Sequence, residues 1–587
     1  MFKHTSFRRK NPVYTGSSGP AAPKEFVGST GKDTVRIVPL GGAGNVTKNM
    51  YVYEYRYDGK LRDILIVDCG VGFPEPEMYG VDLVIPDVRY LMDKKDKIRG
   101  LVFTHGHDDH IGGIPYIYPK LGDIAMYGTK LTAAFANIKL TERKLKGRVQ
   151  PVEFDRTLSF GAFRVSFVRM THSIPDTSNL IIETPVGNIY HGSDFKFDFT
   201  PLDGKTPEMD KINAAGKRGI LCFLTDCLGS ERRGFTASEQ VVGQTLEKEL
   251  SMCSGKFIFT TQSSNISRIQ LAIEIAIKHG RQIAFFGRSI DQNTEKALEI
   301  GYMRYPREAI IRDRDLKRLP TNKQFLIVAG AQGQPESALT RMANDNHRFV
   351  NIEEGDTVVF SADPIPGNEH NIQMLIEQIY RKGARVAYSD IMEDLHVSGH
   401  GSQGDLMLLL SALGPKYVYP IGGTYMHIMQ YQRLVRDLGY QKNRVLIPED
   451  GQVLEFGLDV APRIVQTIEL ENVMVDGLGV GDVKDVVLRD RQTIATEGIV
   501  VIVVPMDTNS GRVTSEPDII SRGFVYMKES GPLLDKVKMI VKESLRLKKG
   551  RILDWHFIRK NVEEQVASYL RKETGREPLI VPVIVEV

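Results

Sequence analysis

The chain lacks most of what would mark a secreted or membrane protein. It has only four cysteines, Cys69, Cys222, Cys227 and Cys253, in 587 residues, and no two form a C-x-x-C pair. A disulfide framework or a thiolate zinc knuckle is therefore not expected. Long apolar runs are also missing. The strongest is "IVVIVV" at 499–504, far short of the roughly 20 residues that span a bilayer. Residues 1–20 have no apolar signal core, so the expected location is cytoplasmic, with no membrane partner. Net charge is small, +3, which leaves a nucleic-acid partner open because a local basic groove matters more than the total. There is no internal repeat and no coiled-coil heptad.

What is present is an ordinary globular composition, 42% hydrophobic and 25% charged, in a chain long enough for several domains. Residues 1–33 carry six Lys or Arg against two acids and are rich in Ser, Gly and Pro. They read as a disordered basic arm. From Thr34, short Val/Ile/Phe-rich runs such as "TVRIVPL", "ILIVDCG" and "IRGLVFTH" read as strands. From about residue 236 helix and strand alternate, the pattern of a parallel α/β unit. "TASEQVVGQTLEKEL" reads as a helix capped by Thr236 or Ser238, and "SRIQLAIEIAIKHG" as one ending at Gly280. A last unit holds the strand "IVVIVVP", two amphipathic helices and a final strand "LIVPVIVEV".

The chemistry concentrates in "LVFTHGHDDHIGGIPY", residues 101–116. His105, His107, Asp109 and His110 stand in the order H-x-H-x-D-H where a strand enters a Gly-containing loop. The whole chain has 13 histidines, so three within six positions point to selection for metal binding rather than chance. Imidazoles and carboxylates suit zinc or a similar divalent ion, and two pairs at this spacing can serve two adjacent ions. Outside ligands are needed. His172 in "MTHSIPD" and Asp194 in "HGSDFKFD" each end a strand, and a carboxylate at 194 can bridge two ions. His396 and His400 lie four apart in "HVSGHGSQ".

These blocks resemble the β-CASP nucleases of the metallo-β-lactamase fold and, within them, the ribonuclease J family. "LGGAGNVTKNMYVYEY", "GFPEPEMYGVDLVIPDVRYL", "THGHDDHIGGIPY", "HSIPDTSNL", "DFKFDFTPLDG", "SNISRIQ", "GRSIDQN", "AQGQPESALTRMA", "SADPIPGNE", "HVSGHGSQ" and "PDIISRGFVYMKES" follow that family's order. The implied fold is α/β: a metallo-β-lactamase αββα sandwich (34–235 and 386–465), an inserted α/β β-CASP domain (236–385), a linker (466–485) and a small α+β C-terminal domain (486–587).

The resemblance implies that His105, His107 and His172 hold a first zinc, with Asp194 bridging to a second held by Asp109 and His110. Manganese or magnesium are alternatives. Asp68 supports the loop behind the ligands. The implied catalytic residues are His400, at the scissile phosphate, with Asp109 and Asp194. Ser264, Asn265, Ser289, His396 and Ser398 are the implied RNA contacts, although Ser and Asn in such turns also cap helices. Two ions about 3.5–4 Å apart activate water and clamp an attacked phosphate. The implied activity is 5′-to-3′ exonuclease action, with some internal cleavage, on single-stranded 5′-monophosphate RNA in messenger decay and ribosomal RNA maturation. The implied partners are single-stranded RNA and further copies of the chain, as homodimer or homotetramer, or a paralogue.

The sequence departs from the family pattern in a few places. The family's P-V-H-G-E-Y reads "PIGGTY", so Gly422 stands where the second ion's late histidine is expected and Thr424 replaces a glutamate. Ser267 replaces a histidine in "SNISR". Ala331 and Gln334 replace a hydroxyl and a carboxylate in "AGAQGQP". His427 is an uncertain substitute for the missing ligand, equally placed to lie on a helix facing solvent. A second expectation follows, an RNA-binding scaffold of low activity. A small-molecule hydrolase fits poorly with the large insertion.

Overall fold

The computed structural model describes residues 31–586 apart from 366, 390, 391, 478, 482, 484, 508–511, 525–530 and 546–554. The basic arm through residue 30 lies outside the described residues, as does the end of the "PDIISRGFVYMKES" block.

The chain forms two compact units, residues 1–72 with 85–472, and residues 73–84 with 473–587. The first unit is built on two facing sheets. The larger runs Val460–Thr467, Gln452–Gly457, Asp33–Gly41, Met50–Tyr57, Lys60–Val67, Ile98–Val102, Met126–Gly128, Val149–Pro151. The smaller runs Tyr417–Ile421, Cys222–Asp226, Gly187–Gly192, Ser178–Thr184, Phe163–Arg169, Thr157–Phe160. Alternate residues of each strand face inward. Val35, Ile37, Leu65 and Val67 of one sheet meet Val165, Phe167, Leu180 and Ile182 of the other in a single buried core. A second core covers the outer face of the smaller sheet. There Phe223 and Tyr190 pack against Ile212, Leu406, Leu410 and Tyr431 from three helices. This is the expected αββα sandwich.

The inserted α/β part is a five-stranded sheet in which every pair is parallel, in the order Gln282–Phe286, Gln324–Val328, Phe257–Thr260, Thr357–Phe360, Arg385–Ala387. Its central strands read as continuous apolar runs because both faces are buried. The expected boundary after residue 385 falls inside the last of these strands. The helix expected near 236 runs Gln240–Met252, and neither Thr236 nor Ser238 is its cap. Thr236 instead donates its hydroxyl to His400 O at 2.9 Å, tying the start of the insertion to the turn that carries His400.

In the second unit, Ile499–Asp507 lies between Asp518–Arg522 and Leu579–Glu586, and one face packs on helices Gly531–Leu545 and Trp555–Thr574 through Val500, Ile502, Val537 and Val566. The expected linker 466–485 is not plain coil. It contains the strand Val473–Asp476 paired with Gly479–Val480, and Val81 and Val84 join Met474 and Val483 in a small apolar cluster. Among the described residues, no helix is long and apolar enough to cross a membrane.

Candidate metal centre

The site lies where the strands of both sheets of the first unit end. The strand Ile98–Val102 stops, and residues 103–107 lead into the short helix Asp108–Ile111. That turn is clamped from behind. Cys69 N donates to His110 O at 2.7 Å, Val71 N to Asp108 O at 3.1 Å and Asn49 N to Asp109 O at 3.0 Å. The approach is so close that a Cβ on Gly70 would sit 1.6 Å from Asp109 O, so only glycine fits.

Asp68 organises the ligands from below. Its φ is +61°, a conformation Asp tolerates better than most residues. Its Oδ1 accepts from Thr104 N at 2.8 Å. Its Oδ2 accepts from Thr104 Oγ1 at 2.8 Å and pairs with His110 Nδ1 at 2.8 Å. A carboxylate at Nδ1 fixes the hydrogen there and turns the Nε2 lone pair toward the site. His172 is set the same way, its Nδ1 lying 2.7 Å from Gly399 O.

Two donor sets centre on the H-x-H-x-D-H residues, beside a third grouping of Asp194, Asp226 and His400. In the first, His107 Nδ1 lies 3.2 Å from His105 Nε2 and 3.1 Å from His172 Nε2, while Asp194 Oδ2 lies 3.7 and 3.8 Å from those two Nε2 atoms. A tetrahedral zinc with bonds of 2.0–2.1 Å requires ligand–ligand edges of about 3.3 Å, so these four atoms fit such an ion. In the second set, His110 Nε2 lies 3.5 Å from Asp109 Oδ2 and 3.4 Å from the same Asp194 Oδ2. This set has three donors and shares its carboxylate with the first. Asn49 Nδ2 also lies 3.2 Å from His110 Nε2, on the lone pair a second ion would use.

The electrostatics of the first set suit cation binding, whereas in the second set Asp109, Asp194 and Asp68 overcome burial and raise His110 well above the ordinary histidine range. Burial, with neighbouring imidazoles, pushes His105 and His172 well below the ordinary histidine range, which keeps their lone pairs free. Burial works to raise the Asp194 carboxyl, but His110, His400 and His105 hold it well below the usual range as an anion.

His400 stands beside these sets. Its Nε2 is 3.9 Å from Asp194 Oδ2 and its Nδ1 is 2.7 Å from Asp226 Oδ2. Burial opposes its charge, yet Asp226 and Asp194 raise it to about 9. Asp226 is the residue that sequence reasoning missed. It is fully buried at the end of the strand Cys222–Asp226. The signal was available, since "FLTDC" ends a strand in an aspartate as "HGSD" does.

The position of Gly422 bears directly on the second set. Its φ is +64°, and a Cβ there would meet nothing nearer than Asp194 Oδ1 at 3.8 Å and Asp226 Oδ1 at 3.9 Å. The space at this position opens onto the two carboxylates. His427 does not substitute. It sits in the first turn of helix Tyr425–Asp437, its Nδ1 2.8 Å from Thr424 Oγ1 and its Nε2 3.7 Å from Glu231 Oε1.

The expected RNA contacts are not gathered with the metal donors. Asn265 caps helix Ile266–Lys278 by accepting from Arg268 N at 3.1 Å. Ser264 precedes it, and Ser289 is exposed in the first turn of helix Arg288–Glu299. Ser398 Oγ accepts from His400 N at 3.1 Å and so shapes the turn. His396 contacts Arg268 and Asp363.

A β-sandwich with two donor sets at its strand ends and an α/β insertion defines a metallo-β-lactamase-type protein of the β-CASP group. Residues 44–216 match the metallo-beta-lactamase superfamily model, 254–379 the ribonuclease J beta-CASP domain, 387–448 the Zn-dependent metallo-hydrolase RNA specificity domain and 486–587 the ribonuclease J C-terminal domain. The chain is 38% identical to ribonuclease J 1 of Streptococcus pyogenes over 94% of its own length and 97% of that protein's. It is 37% identical to ribonuclease J2 of Bacillus subtilis (94% and 99%) and 36% to ribonuclease J of Thermus thermophilus (94% and 96%). A solved structure from Enterococcus faecalis of unknown function shares the fold, with a TM-score of 0.51 at 15% identity, over 72% of this chain and all of that one. The chain therefore belongs to the ribonuclease J family.

Proposed function

We propose that this chain is a metal-dependent ribonuclease that degrades single-stranded 5′-monophosphate RNA from its 5′ end, with some internal cleavage, in the cytoplasm. The observation that carries the proposal is the four-atom donor set of His105, His107, His172 and Asp194, with His400 3.9 Å from the shared carboxylate. Membership of a family whose named members are ribonucleases supplies the substrate class. Messenger decay and ribosomal RNA maturation are the proposed roles, with assembly into homodimers or homotetramers, or with a paralogue.

His105, His107 and His172 would hold a zinc ion, and Asp109 and His110 a second zinc, manganese or magnesium, with Asp194 shared. Ions so held lower the pKa of water and offset charge on a phosphate. The residues do the rest. Asp194 keeps both donor sets in register through one oxygen. Asp226 holds a hydrogen on His400 Nδ1 and, with Asp194, favours the charged ring, whose Nε2–H would face the phosphate and donate to it or to the leaving oxygen. In-line attack leaves a 5′-phosphate on one product and a 3′-hydroxyl on the other. His396, Ser398, Ser264, Asn265 and Ser289 would line the strand's path.

One specific observation favours a second reading. Gly422 offers no side chain to the second donor set, which suits a weakly active RNA-binding scaffold. Cleavage of an end-labelled, 5′-monophosphorylated single-stranded RNA, with zinc, manganese and magnesium titrated and His107→Ala as control, separates the two. Release of mononucleotides by the wild type alone supports the exonuclease. Tight binding without cleavage under any metal supports the scaffold.

A further inference from the structure

Arg268 is among the largest fully buried side chains of the protein, 0% exposed. A guanidinium has five N–H groups and no acceptor, and all five are spent. Nε and Nη2 hold Glu239, at 3.0 Å to Oε2 from Nε and at 2.8 and 2.7 Å from Nη2 to the two oxygens. Nη2 also reaches Val397 O at 3.1 Å. Nη1 reaches Ser361 O at 2.9 Å and His396 Nδ1 at 2.8 Å. Glu239 is itself fixed. Its backbone N donates to Asp198 Oδ2 at 3.0 Å, and the buried Lys196 lies 3.4 Å from its Oε1. Arg268 thus has no freedom to turn.

The consequence falls on His396. A guanidinium N–H cannot accept, so His396 Nδ1 must. A hydrogen on Nδ1 would set N–H against N–H at 2.8 Å. The ring hydrogen is therefore on Nε2, which lies 3.2 Å from Asp363 Oδ2. Burial works to raise the Asp363 carboxyl, but the hydrogen bond from His396, with the charges of Arg232 and Arg268, holds it below the ordinary range, so the group opposite Nε2 is an anion. Asp363 is half exposed, 50% by its side chain, so it can swing away into water. The loop that carries it is anchored separately, by Gln332 Nε2 to Asp363 O at 2.9 Å.

We infer that Arg268 is a positioning residue that locks His396 as an Nε2–H donor for an RNA phosphate, and that Asp363 occupies this donor until the phosphate displaces it. His396 is then an anion-binding group and not a proton-transfer group, unlike His400, whose partner is a carboxylate. This assignment rests on the ribonuclease reading for the identity of the anion.

Two measurements on the metal-loaded full chain test it. In the first, histidines are nitrogen-15 labelled and His396 is identified by the signal missing from His396→Gln. Long-range nitrogen–proton spectra at neutral pH should show an unprotonated Nδ1 and a protonated Nε2, because Nδ1 faces the Arg268 N–H at 2.8 Å. A neutral ring with its hydrogen on Nδ1 overturns the lock. Arg268→Lys, which keeps the charge but not the fork, should let the ring hydrogen of His396 move to Nδ1; if this variant does not fold, the wild-type spectrum still decides.

The second measurement is binding of a cleavage-resistant, phosphorothioate-linked single-stranded RNA. Asp363→Ala should tighten it by about three- to tenfold, and His396→Ala should weaken it by about tenfold, as for one charge-assisted hydrogen bond. His396→Gln, which keeps an N–H donor, should stay within about threefold of wild type. Unchanged affinity in both alanine variants, with the wild type binding, refutes the phosphate assignment alone. A wild type that does not bind this RNA refutes the ribonuclease reading and the phosphate assignment together, while the spectra continue to decide the lock.

Discussion

Asp68→Asn should empty the second donor set and leave the first intact. The reasoning is atomic. Asp68 Oδ1 accepts from Thr104 N at 2.8 Å, and a backbone N–H cannot reverse, so the asparagine must place its own Oδ1 there. Its Nδ2 then takes the place of Oδ2, 2.8 Å from His110 Nδ1. Two N–H groups cannot face each other, so His110 moves its hydrogen to Nε2, with the Asn49 amide turning its oxygen to meet it, and loses the lone pair aimed at the ion. Thr104 Oγ1 is not stranded, because Ser193 Oγ lies 3.0 Å away. The backbone is not strained either, since Asn tolerates the φ of +61° that Asp68 holds. Losing an outer partner of a ligating histidine typically costs 10–100-fold in metal affinity, about 1.4–2.7 kcal/mol. With the lone pair itself removed, the upper end is expected here. His105, His107 and His172 keep their partners, so the first ion should stay. Calorimetric titration with zinc and manganese, with circular dichroism as a check on folding, reads both stoichiometry and affinity. A folded Asp68→Asn protein that binds as many ions as wild type, at wild-type affinity, refutes the argument.

Other predictions follow from neighbouring atoms. Gly422→His should raise second-site affinity, read by metal stoichiometry after dialysis, because the open space there faces Asp194 and Asp226 and His is among the residues that tolerate a left-handed backbone. His107→Ala and Asp109→Ala should abolish cleavage of labelled RNA without lowering the thermal midpoint of the metal-free chain; full activity in both would refute the donor assignment. In that metal-free chain, His400 is raised from 6.5 to about 9, so its share of stability is present below about pH 6.5 and lost as pH rises through about 9. Denaturant midpoints should fall across that window, and Asp226→Asn should flatten the fall. Phe167→Ala, in the core between the two sheets, should cost about 3–5 kcal/mol in denaturant unfolding.

The sandwich and the parallel insertion were legible in the sequence because both depend on local signals. Buried strands are Val/Ile/Phe-rich, and strand ends are marked by Gly and Asp. The first donor set was legible because two of its members, His105 and His107, lie close in sequence and the other two, His172 and Asp194, follow strand ends. What was hidden depends on tertiary contacts that leave no local mark. Asp226 is one carboxylate in an apolar strand, and only its approach to His400 gives it a role. Asn265 had two open readings, and the sequence could not show that its side chain accepts from Arg268 N at 3.1 Å as a helix cap. The segment 73–84, which groups with the C-terminal unit, joins residues nearly 400 apart in sequence, and no periodicity reports such a pairing.

The changes at the site fall unevenly, and that bears on how far this chain has moved from catalysis. Gly422 removes one ligand and Ser267 removes one imidazole from the "SNISR" turn. Yet the supports behind them stand. Asp68 still bonds His110, Asp226 still bonds His400, and Arg268 still spends all five of its donors. A buried charged group left without a partner costs several kcal/mol, so such networks persist only while each member is satisfied. On the proposed mechanism the Asp226–His400 pair would act on charge at the attacked phosphate and not on affinity along the strand, so a chain retained only for binding would have no need of it. Loss of a ligand at one edge, with the proton-transfer pair intact, fits an enzyme whose turnover depends on the supply of its second ion better than it fits a scaffold.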